Sequence, residues 1–206
     1  MSDYIKLYEK ATDTRLARNV AEVLGDGGIV ILPTDSVYSL ACDIQNERAL
    51  EKIAQLKGLK LKEANFSIIC QDISQLSDYC KPLGNGIFKL LKKNLPGPFT
   101  FILEANNNIP RIFKKNRKSV GIRIPDNNIT QTIVSELCRP VIVTSVKDDD
   151  EIIEYTTDPE LIVERYEKQV DMVVDGGIGH NEASTVVDCT GGDIEIIREG
   201  IGQLLL

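Results

Sequence analysis

Apolar positions along the chain fall into two alternating rhythms. "TDTRLARNVAEVLGDGG" sets Leu16, Val20, Val23 and Leu24 three or four apart, which predicts a helix with one inward face, and Gly25, Gly27 and Gly28 are placed to end it. "GIVILP" follows as a continuous apolar run of strand length. "NERALEKIAQLKG" predicts a second helix, capped by Asn46, turning Leu50, Ile53 and Ala54 inward and stopping near Gly58. "NFSIIC", "FTFILEA", "SVGIRIP" and "PVIVTS" predict strands, and "GIFKLLKKN", "ITQTIVSELC" and "DPELIVERYEKQ" predict helices. "DMVVDGG", "STVVDCT" and "IEIIREG" close the chain as three strand-like runs separated by Gly and Asp turns. This order predicts an α/β protein with a single twisted mixed parallel/antiparallel sheet, helices on both faces, and late strands paired antiparallel.

Several strands end in chemistry. The run "VILPTDSVYSL" breaks into Thr34, Asp35 and Ser36, "SVGIRIP" sets Arg123 inside an apolar strand, and "VIVTSVK" delivers Thr144 and Ser145. A guanidinium in such a run is costly to bury unless it is paired. Ligands of open α/β sheets bind where strands give way to loops. Each residue taken singly reads as a turn cap or a satisfied ion pair; three such strand ends together favour a site.

Composition narrows the classes. The 206 residues, 42% hydrophobic and 27% charged, fit one domain spanning 1–206 that buries a proper core. No run approaches the ~20 apolar residues of a membrane span, and "MSDYIKLYEK" has no signal-peptide pattern, so the protein is expected in the cytoplasm without a membrane partner. Cys42, Cys70, Cys80, Cys138 and Cys189 are scattered, and with His180 as the single histidine neither a metal centre nor a histidine-based triad is expected. Buried free thiols and a surface His180 are expected instead. Net charge is −7, yet residues 1–125 carry 19 basic and 13 acidic side chains, net +6, while residues 126–206 carry 5 and 18, net −13. Any anion-binding surface therefore comes mainly from the first part, where Lys57, Lys60 and Lys62 follow a helix and "KKNRK" spans 114–118.

"LPTDSVYSL", "LPGPFTFIL", "SVGIRIP", "VIVTS", "ASTVVD" and "IIREG" occur in the order and approximate spacing of the YrdC/YciO family, so that residues 12–202 resemble it, with "NFSIIC" and the "REG" ending similar to its YciO branch. The resemblance implies a YrdC-like (YrdC/RibB-type) fold with a broad basic cavity. It implies an L-threonylcarbamoyladenylate synthase type of nucleotidyltransferase, joining L-threonine, bicarbonate and ATP into threonylcarbamoyl-AMP and pyrophosphate. That product would pass to downstream threonylcarbamoyl-transfer proteins that modify tRNA. Mg²⁺ is expected with ATP, held by phosphates and water rather than a protein cage. Double-stranded RNA or tRNA binding by a YciO-type protein, with weak or diverged activity on the adenylate, is the alternative the family offers. A scaffold with structural polar strand ends is a third reading.

Carried over by motif, Thr34 resembles the hydroxyl at the bound threonine, Arg123 the guanidinium on its carboxylate, and Ser184 the third member of that pocket. Lys57 and Arg198 resemble the cations facing the triphosphate, with Ser119 and Ser145 on the nucleotide; Lys57, Arg123 and Arg198 would carry the catalytic charge. Taken alone, Lys57 reads equally as a lysine favoured at a helix C-terminus. Two departures stand out: the family's Lys-x-Arg is Lys57, Gly58, Leu59 here, leaving Lys60 or Lys62 to compensate, and its Ser-Ala-Asn is Ser145, Val146, Lys147. If the basic cluster is an RNA surface, replacing Lys114, Lys115, Arg117 and Lys118 abolishes RNA binding while sparing ATP binding, and affinity falls steeply with salt; a salt-independent affinity rejects that reading.

Overall fold

The computed structural model describes residues 2–60, 66–110, 118–146 and 154–206. Its frame is one 10-stranded sheet in the order β1-β8-β2-β3-β7-β4-β6-β5-β9-β10. The strands are β1 (Asp3–Lys6), β2 (Val30–Leu32), β3 (Ser39–Asp43), β4 (Ser67–Ile69), β5 (Phe99–Glu104), β6 (Ser119–Arg123), β7 (Val141–Ser145), β8 (Met172–Asp175), β9 (Thr185–Asp188) and β10 (Glu195–Arg198). The helices are α1 (Thr14–Gly25), α2 (Glu47–Leu56), α3 (Ile73–Ser77), α4 (Asn85–Asn94), α5 (Asn128–Leu137), α6 (Glu154–Thr157) and α7 (Pro159–Tyr166).

Local chemistry sets the helix boundaries. Asp13 accepts from the N–H groups of Arg15 and Leu16 to start α1, and Gly27, at φ 90°, ends the turn that follows it. Asn46 accepts from the Ala49 N–H at 2.9 Å to start α2, as expected from the sequence. Asn127 and Asp158 cap α5 and α7 in the same way.

Each face of the sheet packs a different cluster. Ile31, Leu40, Cys42, Ile68, Phe101, Ile122, Ile142, Val173 and Val187 meet the buried sides of α2, α3, α4 and α7 on one face. On the other, Val30, Leu32, Ala41, Ile69, Val141, Val143, Met172 and Val174 meet Ala17, Val20 and Leu24 of α1 and Ile129, Ile133 and Leu137 of α5. Arg18 of α1 donates to Glu136 of α5 at 2.8 Å, tying the two helices together outside that core.

Three features depart from the sequence expectation. β1 and β3 are strands that the apolar pattern does not single out, the first because its residues alternate too little and the second because "SLACD" carries a serine and an aspartate, all of it buried. The late strands are not uniformly antiparallel: β8 runs parallel to β1 and β2, and β9 runs parallel to β5, with the antiparallel pairing confined to β9 and β10. Cys42, Cys70, Cys80 and Cys189 are buried thiols, but Cys138 is exposed, in left-handed conformation at the end of α5. No helix among the described residues is long and apolar enough to cross a membrane.

Fully buried Tyr38 closes the centre of this frame. Its hydroxyl donates to the Gly177 carbonyl at 2.7 Å and accepts from the Gly176 N–H at 3.0 Å, locking the start of β3 to the end of β8. Tyr38→Phe leaves both backbone groups unsatisfied, and a loss of about 1–3 kcal/mol is expected as a lower urea midpoint with an unchanged slope.

Candidate functional site

Side chains that pair across a sheet share a face, as do residues two apart in one strand. Ser67 pairs with Gly121 and with Val143, and Gly121 pairs with Ile102, so the face carrying the α1/α5 cluster continues over β4, β6 and β5. Beyond Ile69 it changes character. Ser67, Gly121, Arg123, Thr100 and Ser184 stand among the aliphatic Ile102 and Val186, and Arg198, paired with Val186, extends this more polar half to the edge strand.

Arg123 stands at its centre with a side chain only 6% exposed. Its Nη2 donates at 2.8 Å to Asp35 Oδ1 and at 2.8 Å to Ser36 Oγ, while Nε is buried without a hydrogen-bond partner. The Asp35 side chain is 7% exposed, and its second oxygen accepts from the Asp126 N–H at 2.8 Å. Burial pushes the Asp35 carboxyl above the usual carboxylate range, against the pull of the Arg123 charge, and burial lowers Arg123 from the other side. Desolvation therefore weighs on both partners of a pair that has to hold.

The loop that carries Asp35 is built to do so. Thr34 Oγ1 donates to the Val37 carbonyl at 2.8 Å and accepts from the Ser36 N–H at 3.1 Å, which folds Thr34–Val37 into a tight turn. Thr130 of α5 donates to the Pro33 carbonyl at 2.5 Å, fastening the loop from below. The Thr34 hydroxyl expected at the threonine is thus committed to the loop's own backbone, and Asp35 and Ser36 are the loop residues that reach Arg123.

Ser184 and Arg198 form a second group. Ser184 Oγ lies 2.8 Å from Thr100 Oγ1, and Arg198 donates through Nη2 at 2.7 Å and Nε at 3.2 Å to the Ser184 carbonyl. Burial lowers Arg198 from the usual guanidinium range, and its charge is felt at Arg123, which places the two cations on one field.

The remaining candidates are Lys57, Ser119 and Ser145. Ser119 lies two residues before Gly121 and Ser145 two beyond Val143, so both sit at one end of the sheet, while Arg123 lies toward the other, about 13 Å along β6. Half-buried Lys57 is the C-cap of α2, a helix packed on the sheet face opposite the one that carries Val141, Val143 and Ser145. Lys60 is exposed in the following segment; Lys62, Lys114, Lys115, Arg117 and Lys147 lie outside the described residues, and Lys118 is exposed. Leu59 is 42% exposed. Among the described residues no group of His, Cys, Asp or Glu could hold a metal ion, and His180 is exposed in its loop.

Sequence reasoning passed over Ser67, Thr100 and Gly121. The signal was the polar residue inside "NFSII" and "PFTFI", each at the alternate position that faces Arg123.

The chain has known relatives. The family described as telomere recombination, comprising Sua5, YciO and YrdC, matches residues 22–200. The chain belongs to the Sua5/YciO/YrdC family. YciO of Escherichia coli is 36% identical over 206 residues, covering 99% of this chain and 98% of the relative. The crystal structure of E. coli YciO superposes with a TM-score of 0.90, covering 98% of each chain at 36% identity. The P. abyssi Sua5 structure complexed with L-threonine, at 24% identity, shares the fold with a TM-score of 0.86 over 97% of this chain and 58% of that one.

For this Sua5/YciO/YrdC chain, the polar face is closely fitted at Gly121, where an added Cβ lies 2.9 Å from Ser67 Oγ and 3.1 Å from Thr100 Cγ2. Gly121→Ala is expected to cost about 1–3 kcal/mol by forcing both neighbours aside, seen as a lower thermal midpoint.

Proposed function

We propose that the protein acts on L-threonine and an adenine nucleotide, forming threonylcarbamoyl-AMP and pyrophosphate from L-threonine, bicarbonate and ATP, as an L-threonylcarbamoyladenylate synthase-like enzyme serving tRNA threonylcarbamoyladenosine modification. The observation that carries this reading is the buried guanidinium of Arg123, held on a sheet face that also carries Ser67, Thr100 and Ser184, with an unpartnered Nε. A guanidinium in that state suits a carboxylate. Family membership and the L-threonine in the P. abyssi Sua5 structure support threonine as that carboxylate's owner.

The chemistry asks little of a protein nucleophile. Threonine's amine takes up CO2 as a carbamate, a carbamate oxygen attacks the α-phosphate of ATP, and pyrophosphate leaves. Catalysis then rests on holding two anions together and neutralising the charge that develops between them. Arg123 and Ser184 would hold the amino acid, with Thr34 shaping the loop above it. Arg198 and Lys57 would face the phosphates, and Ser119 and Ser145 the nucleotide. Mg²⁺ would travel with ATP, coordinated by phosphate and water.

A second reading is favoured by one observation. Leu59, exposed where synthases of this family carry an arginine, offers no charge to a triphosphate. A protein that takes a preformed adenylate, with one phosphate in place of three, would need none there.

Purified protein with ATP, Mg²⁺, bicarbonate and L-threonine is expected to release pyrophosphate and yield threonylcarbamoyl-AMP by mass detection, and to do neither when threonine or bicarbonate is omitted. Arg198→Ala is expected to lower that rate by about 10²-fold, the loss typical for removing one group that stabilises developing charge. Threonine binding without product, together with binding of the adenylate, selects the second reading.

A further inference from the structure

Of the five N–H donors on a guanidinium, the two on Nη2 of Arg123 are taken, one by Asp35 and one by Ser36. Nε is left buried and without an acceptor, and it is the one such side-chain atom among the described residues. A buried donor without a partner is costly, so its persistence at the centre of a polar face marks a place where an acceptor from outside the chain belongs. The two bonds at Nη2 also decide how the guanidinium plane is turned. Both come from one loop, which is itself fixed by Thr34 and Thr130 and by the Asp126 N–H on Asp35 Oδ2.

We infer that Asp35 is the positioning residue of this site: by taking Nη2 of Arg123, together with Ser36, it leaves the Nε–H of the guanidinium to a ligand carboxylate. The inference rests on the reading of the site as an amino-acid pocket, and it adds a division of labour to that reading. Arg123 touches the ligand; Asp35 acts through Arg123. A second consequence concerns charge. Asp35 balances Arg123, so the carboxylate is recognised by a directed N–H group rather than by a bare excess of positive charge, and Arg198 supplies the remaining cation. The site therefore selects for a planar carboxylate over a ligand that merely lacks one.

The test reads the Arg123 Nε–Hε signal of ¹⁵N-arginine-labelled protein, assigned by its loss in Arg123→Lys. L-threonine and acetate are expected to move the signal, and L-threoninol, which has no carboxylate, is expected to leave it in place. In Asp35→Asn, with folding checked by its thermal midpoint, the apparent affinity for L-threonine is expected to fall about tenfold or more while any response to L-threoninol is unchanged. Asp35→Glu, which restores the charge on a longer arm, is expected to recover part of that loss. Acetate that moves the signal where L-threonine does not would reject threonine as the ligand while upholding the positioning role. An Nε–Hε signal indifferent to both carboxylates overturns the inference, as does an Asp35→Asn protein that binds L-threonine as tightly as the parent. If Asp35→Asn does not fold, Ser36→Ala removes the other Nη2 acceptor: a weakened carboxylate response upholds the inference and an unaltered one overturns it.

Discussion

A positive charge inside a β-sheet has to be answered by a negative one. Arg123 lies on the same sheet face as the aliphatic cluster of β2, β7 and β8, in a position where an unpaired guanidinium would cost several kcal/mol. Asp35 answers it from a loop 88 residues away in sequence. Much else in the protein serves that contact. α5 holds the loop by Thr130, Tyr38 fixes the strand that leaves it, and the hydroxyls of Ser36, Ser67, Thr100 and Ser184 furnish a floor on which a charge can be tolerated.

The two halves of that sheet face differ in chemistry. Under α1 and α5 the face is aliphatic and contributes burial; past Ile69 hydroxyls, glycine and arginine stand beside Ile102 and Val186. One uninterrupted sheet carries both, so the polar half inherits the rigidity of the apolar half. This suits a reaction that depends on holding anions in place rather than on a reactive side chain.

Much of this was readable beforehand from particular residues. The apolar periods of α1 and α2, the Asn46 cap and the buried run Val30–Leu32 depend on local chemistry, and the fold follows them closely. β3 escaped notice because a central strand can carry Ser39 and Asp43 when the fold supplies partners, here Ser145 across the ladder and Arg139 from the turn before β7. The parallel pairing of β8 and β9 was hidden because strand direction is set by distant neighbours, not by the strand's own residues. At the site, Arg123 was conspicuous as a charge in an apolar run. The bonds of Thr34 to its own loop, the reach of Asp35 to Arg123 and the alignment of Thr100 with Ser184 depend on the folded loop and on register, which no single segment encodes.

The separation of Asp35 from Arg123 also bears on how the protein is born. Synthesis runs from the N-terminus, so the loop of Thr34–Val37 exists well before the strand that carries its cation, and the hairpin of β9 and β10, which brings Arg198 to Ser184, comes later still. The polar face therefore draws on segments made both early and late in the chain. A chain synthesised no further than β5 holds a loop carboxylate without its guanidinium.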